Sequence, residues 1–259
     1  MKRFVTLTVL FIIVLCGCDI QPDDFNVLET TESVYTEPVT EPVVTQAPET
    51  QPEHSSLYIP GLPAEDVIKY YNEVVLSAEF VNSGDPSRVQ KWEDEILYII
   101  NGEPTPKDRE VLQAFTAWLN TVEGFPGIRE TSVDAEANLR IHFCAYEKLL
   151  QILGDNFQGM DGGVTFWYDN DRIYQGTICI RTDLEQELRN SVILEEIYNG
   201  LGPVQDTDLR EDSIAYSGFS QPQSLTVVDE LILKLLYHPQ IQCGMDASQC
   251  ETVIRQLYY

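Results

Sequence analysis

The stretch Ser191–Gln205, SVILEEIYNGLGPVQ, decides how the rest of the chain is read. Within residues 183–201, DLEQELRNSVILEEIYNGL, Leu188, Glu195 and Asn199 fall seven and four apart. On a helix that spacing places them along one stripe. Ile193, Leu194, Ile197 and Leu201 form a broad apolar face beside the stripe, suited to resting on a sheet. Gly202 followed by Pro203 is a helix stop, because glycine takes the left-handed C-terminal position and proline prevents continuation. The helix therefore carries two adjacent carboxyl groups and an amide, and Gln205 follows just past its end.

Downstream, Asp212-Ser213-Ile214-Ala215-Tyr216 is followed by a short loop, then Leu225-Thr226-Val227-Val228-Asp229 and a helix ending Leu235-Leu236-Tyr237 before His238-Pro239. Thr226 is a good N-cap, and Asp229 at the third helical position suits the exposed amides and the dipole there. Val228, Leu231, Ile232, Leu235 and Leu236 make the buried stripe of this helix.

Written on the zinc-peptidase template HExxHxxGxxH, the first stretch gives Glu195, Glu196, Asn199, Gly202 and Gln205, so the frame is kept while the three histidines are absent. The downstream segment resembles the tail of a matrixin-type catalytic domain, with Ala215 in place of the methionine of its turn. Taken together, EExxNxLG, LTxxD, LLYxPxI and Gly244-Met245 resemble a bacterial lipoprotein domain family of unknown function, grouped with the zincin-like metallopeptidases. The resemblance runs from about residue 65 to the end and is specific from about residue 185 onward. It implies an α+β, zincin-like fold: a mixed five-stranded sheet with an antiparallel edge strand, packed by helices that include the one at 183–201. By the same resemblance Glu196 takes the place of the general base and Glu195 that of a metal ligand. The penultimate strand would border a cleft and accept an extended peptide through main-chain hydrogen bonds. That strand is Val164–Tyr168, with Phe166 and Trp167 at the rim.

The 259 residues, 43% of them hydrophobic, suffice for one good core plus an unstructured segment. A net charge of -26 argues against nucleic acid, which needs clustered Lys and Arg to meet phosphates. Residues 1–18 read as a secretion signal: Lys2 and Arg3 precede the apolar run Val5–Val14, which is too short for a membrane span. Leu15-Cys16-Gly17-Cys18 matches a lipobox and makes Cys18 the expected lipid anchor, holding the protein on an extracytoplasmic membrane surface. Residues 19–56, rich in Thr, Glu, Pro, Gln and Val and without Lys or Arg, read as a disordered tether with a reach on the order of 100 Å.

The folded domain is expected over 57–259. Pro63-Ala64-Glu65-Asp66 opens a helix with Val67, Ile68, Tyr71, Val74 and Val75 on its apolar face. Trp92–Ile100 reads as a strand buried on both faces, and Thr105–Val122 as the next helix. Strands follow at Gly127–Val133 and Asn138–Cys144, a short helix at Tyr146–Leu153, and a strand pair Val164–Tyr168 and Arg172–Ile180 turning at Asp169-Asn170-Asp171. An exported protein permits disulfides, and Cys243 and Cys250 are candidates for a local bridge. Cys144 and Cys179, each at a strand end, are either paired or buried as small apolar residues.

A zincin needs three metal ligands, an open position holding water, and a carboxylate that takes the water's proton. Asn199 and Gln205 do not replace imidazoles, since amide oxygens suit harder ions such as calcium. No resident cofactor is therefore expected, zinc and calcium being the ions to test. Sugar hydrolysis by Glu195 and Glu196 is disfavoured because neighbouring helical residues diverge by about 100 degrees. A purely structural role would pair them with Arg140, Arg181 or Arg189. The expected function is a surface lipoprotein whose degenerate zincin-like domain binds a peptide or cell-envelope component in a cleft lined by Glu195, Glu196, Asn199, Gln205, Phe166 and Trp167. The alternative is an atypical metal-dependent peptidase using Glu195 as ligand and Glu196 as general base.

Overall fold

Helix α1, Ala64–Leu76, begins at Pro63 and carries Glu65 and Asp66 in its first turn, where the exposed amides favour acids. It buries Val67, Ile68, Tyr71, Val74 and Val75, the apolar face that its sequence spacing demands. The computed structural model describes residues 55–77 and 88–259; the signal segment, Cys18 and the tether as far as residue 54 lie outside the described residues. Ser55 already belongs to the folded unit, its main-chain N–H donating to the Tyr259 carbonyl at 3.3 Å.

The strands are β1 (Lys91–Trp92), β2 (Ile96–Gly102), β3 (Ile128–Glu130), β4 (Leu139–Cys144), β5 (Gly162–Asp169) and β6 (Arg172–Arg181). Between and after them run α2 (Pro106–Leu119), α3 (Tyr146–Leu153), α4 (Gln186–Gly200), α5 (Val227–Tyr237) and α6 (Ala247–Tyr258). They make an α+β domain around one six-stranded sheet with the order β1-β6-β4-β2-β3, β5 also pairing with β6. The expected five-stranded mixed sheet is thus corrected: the sheet has six strands and is mostly parallel, β5 being its antiparallel member. Its antiparallel pairing is β5 on β6, running from Gly162 opposite Ile180 to Asp169 opposite Arg172, with a one-residue register shift between Trp167 and Tyr168. Asn170 and Asp171, at φ 50 and 63, make the tight turn between them.

Trp92–Ile100 is not one strand. Trp92 belongs to β1, where its indole N–H donates to the Gly200 carbonyl at 2.8 Å, and the chain then crosses Glu93–Glu95 to enter β2 beside β4. Nor is β2 buried on both faces: Ile96 and Tyr98 are buried while Leu97 and Ile99 are half-buried. Strand residues alternate, so only one side of the pleat meets the main helix layer.

That side carries Ile96, Tyr98, Leu139, Ile141, Phe143, Ile178 and Ile180, all buried. Helix α4 lies on it and is buried on nearly every side from Arg189 to Gly200, Ile193, Leu194 and Ile197 each contributing about 1.5–3 kcal/mol of apolar transfer. The helix ends at Leu201, and Gly202 follows at φ +130 with its position for a Cβ only 2.6 Å from the Gln90 carbonyl oxygen. Glycine is needed there for the backbone and for the close approach. On the opposite side of the sheet, α3 lies against β5 and β6, and a Cβ on Gly163 would meet Phe157 and Leu153.

Capping boxes start three helices: Thr105 with Asp108, Thr226 with Asp229, and Asp246 with Gln249. Asp229 does more than cap. Its Oδ1 accepts from Ser213 Oγ at 2.7 Å and from the Tyr70 hydroxyl at 3.2 Å, and its Oδ2 accepts from the Ile214 N–H at 3.2 Å. Tyr70 and Ser213 also share a hydrogen bond, so the Ser213–Tyr216 turn is tied to both α1 and α5.

Candidate functional site

The sheet-facing seam of α4 runs through Val192, Glu196 and Gly200, four residues apart. A Cβ on Gly162 would come within 2.6 Å of both Glu196 Oε1 and Val192 Cγ1, and one on Gly200 within 3.5 Å of Val164 Cγ2. The first residue of β5 therefore has to be small for the helix to come this near. Glu196 is pressed beneath it, 8% exposed, while Glu195, one step round the helix, is half-buried.

Neither carboxyl group has a hydrogen bond or ion pair among the described residues. The three arginines that a purely structural role would recruit are engaged elsewhere: Arg140 with Asp134 at 3.4 Å, Arg181 with Asp161 and Asp183 at 2.8 Å each, and Arg189 with Asp108 at 2.9 Å. Burial, then the charges of Asp206 and Asp161, push the Glu195 carboxyl up to about 7. Burial, then Glu195 and Asp206, push the Glu196 carboxyl well above its ordinary value.

Asn199 is 9% exposed, and its Oδ1 is buried without a hydrogen-bond partner. It stands one turn beyond Glu195 and three residues beyond Glu196 on the same helix, spacings at which helical side chains are neighbours. Gln205 is half-buried and held through its main chain, its N–H donating to the Val74 carbonyl at 3.3 Å.

The aromatic pair expected at the rim is divided by the pleat. Phe166 shares the face of Gly162 and Val164 and packs against the core, whereas Trp167 points to the other face and is 46% exposed. Adjacent strand residues cannot line one wall together. The structure thus brings Glu195, Glu196 and Asn199 together near the start of β5, with Asp206 close in charge, and leaves Trp167 outside that group.

Among the described residues no group of three or more His, Cys, Asp or Glu side chains is arranged to hold a metal ion. The donors here fit zinc poorly as well, since the amides of Asn199 and Gln205 are weak ligands for it.

All four described cysteines are free thiols, so the expected Cys243–Cys250 bridge is corrected. Cys243 Sγ turns to the Lys91 carbonyl at 3.7 Å, while Cys250 enters the core from the first turn of α6 and meets Tyr71. Cys144 on β4 and Cys179 on β6 are neighbouring thiols, and burial raises both.

A cleft of about 910 Å³, unforeseen in the sequence, opens at the other end of β6, lined by Lys91, Glu93, Arg172, Tyr237 and Cys243 among others. Its clearest residue is Lys91, a buried cation whose ammonium donates to the Leu236 and Ile241 carbonyls at 2.8 and 2.5 Å. The only signal for it in the sequence is a lysine beside an aromatic strand residue. No helix among the described residues is long and apolar enough to cross a membrane.

Residues 64–256 match the model of a family described as protein of unknown function (DUF2927). No curated protein matches the chain.

Proposed function

We propose that this chain, which belongs to the DUF2927 family, is a surface lipoprotein whose folded domain binds an extended peptide or cell-envelope partner along β5 without cleaving it. One observation carries the reading. β5 pairs along its eight residues with β6 and with no other strand among the described residues, so the main-chain groups of its other side are open to a further strand. Trp167 and Tyr168, both about half exposed, stand on that strand, and the Glu195–Asn199 group adjoins its start.

The zincin-like grouping belongs to the same proposal. It is supported by the position of β5 as penultimate strand, by the left-handed glycine after α4, and by the Ser213–Asp229 link that holds the following turn. Export and lipidation at Cys18 are supported by the signal-like residues 1–18 and the lipobox, which lie outside the described residues. The peptidase alternative, with Glu195 as ligand and Glu196 as base, is weakened by the ligand set: Asn199 and Gln205 stand where imidazoles would be needed, and amide oxygens are weak donors to zinc.

The test is selection from a library of random extended peptides, followed by amide hydrogen exchange. Binding should slow exchange across 162–169, persist in chelator and fall on Trp167→Ala. Metal analysis accompanies it: near-stoichiometric zinc, or no selected peptide that protects β5, would overturn the reading.

A further inference from the structure

Resting on that reading of β5, we propose that the bound strand delivers a cationic side chain, the guanidinium of Arg or the ammonium of Lys, into the pocket formed by Glu195, Glu196 and Asn199. Three neighbouring side chains present oxygen acceptors: Glu195 and Glu196 without an ion pair or hydrogen bond among the described residues, and Asn199 with its buried Oδ1 unpartnered. A buried acceptor left unmade is costly, and a donor-rich cation satisfies several at once.

Among the described residues no Lys or Arg forms an ion pair with Glu195 or Glu196. Arg181 and Arg189, the arginines flanking α4 in sequence, are bound to Asp161, Asp183 and Asp108. With 16 Lys and Arg against 42 Asp and Glu, the protein has far more acids than cations to pair with them. The position suits a strand ligand. Glu196 lies directly against Gly162, the first residue of β5, and a strand added beside β5 would turn every second side chain to the same face as Gly162, Val164 and Phe166. One of those side chains reaches α4, and a long, flexible cation spans the gap.

The experiment uses the purified full chain and two blocked peptides, Thr-Val-Thr-Arg-Thr-Val-Thr and the same sequence with citrulline, which keeps the shape and removes the charge. The Arg peptide should bind about tenfold more tightly, as expected of a charge pair of roughly 1.4 kcal/mol. The difference should vanish in Glu195→Gln and in Asn199→Leu, with the melting transition of each variant confirming its fold. Equal binding of the two peptides overturns the cationic pocket while leaving the β5 reading in place. If neither peptide binds, the β5 reading is the one that fails. Titration with N-acetyl-arginine methylamide, followed on the Asn199 side-chain amide resonance, then decides the pocket: a change in that resonance lost in Glu195→Gln sustains it, and no change overturns it.

Discussion

Arg189 on α4 and Asp108 on α2 meet at 2.9 Å with side chains 7% and 0% exposed, an ion pair almost wholly out of water. The pair is fully dressed. Arg189 also donates to the Thr182 and Leu184 carbonyls at 2.9 Å each, and Asp108 accepts from Gln186 and from the Thr105 N–H. Burial alone would raise the Asp108 carboxyl, but hydrogen bonds from Arg189, Gln186 and Thr105 outweigh it and hold it below its ordinary value. Asp108→Ala should lower the unfolding free energy by about 3–5 kcal/mol, because it strands a buried guanidinium. The double variant Asp108→Leu, Arg189→Met should cost much less, and urea denaturation of both checks the contrast.

Gly162 and Glu196 make a second test. Gly162→Ala places a methyl group 2.6 Å from the Glu196 carboxyl oxygen and should destabilise by about 1–3 kcal/mol through overpacking. Glu196→Ala in the same chain should recover part of that loss. A thermal-melt cycle in which the two effects simply add would show that the contact is not the cause.

Stability should depend on pH through Glu195. Its folded value of about 7 lies above the 4.5 of the unfolded chain, so between these values the folded state holds the proton that the unfolded state has released. This contribution is complete below about pH 4.5, falls as pH rises through that window, and is gone above about 7. The loss is on the order of 3 kcal/mol, because each tenfold difference in proton affinity between the folded and unfolded states is worth about 1.4 kcal/mol. Glu195→Gln should flatten the slope of denaturant midpoints between pH 5 and 7 relative to the unmodified chain, and an unchanged slope would count against the assignment.

The link from Tyr70 through Ser213 to Asp229 should be worth more than its cap alone. Asp229→Ala leaves the Ser213, Tyr70, Ile214 and Thr226 donors without their acceptor and should cost at least about 3 kcal/mol, whereas Ser213→Ala should cost about 1–3. Hydrogen exchange should show the loss concentrated in residues 213–217, the turn that the network holds.

Local order is legible in the sequence because its causes are local. The period of Ile193, Leu194, Ile197 and Leu201, the Gly202-Pro203 stop, the Thr226–Asp229 capping box and the Tyr146–Leu153 helix all lie within a few residues of what they determine. The Glu195–Asn199 stripe is legible for the same reason. Trp92–Ile100 misleads because a continuous apolar run does not reveal that its first residues join β6 and its last join β4. Phe166 and Trp167 suggest a single rim because they are adjacent in sequence, yet strand alternation separates them.

The sequence by itself determined most of the helices, the Thr226 cap, the Gly202-Pro203 stop, and an excess of acids too large for nucleic acid. The tertiary structure alone decided that Arg189 would answer Asp108, 81 residues away, rather than Glu195 or Glu196 on its own helix. It also decided that Glu196 would lie beneath a glycine of β5. The reason is that ion pairs and buried carboxyl groups depend on which surfaces meet across the sheet, and packing of distant segments sets those meetings while helical and strand periods do not.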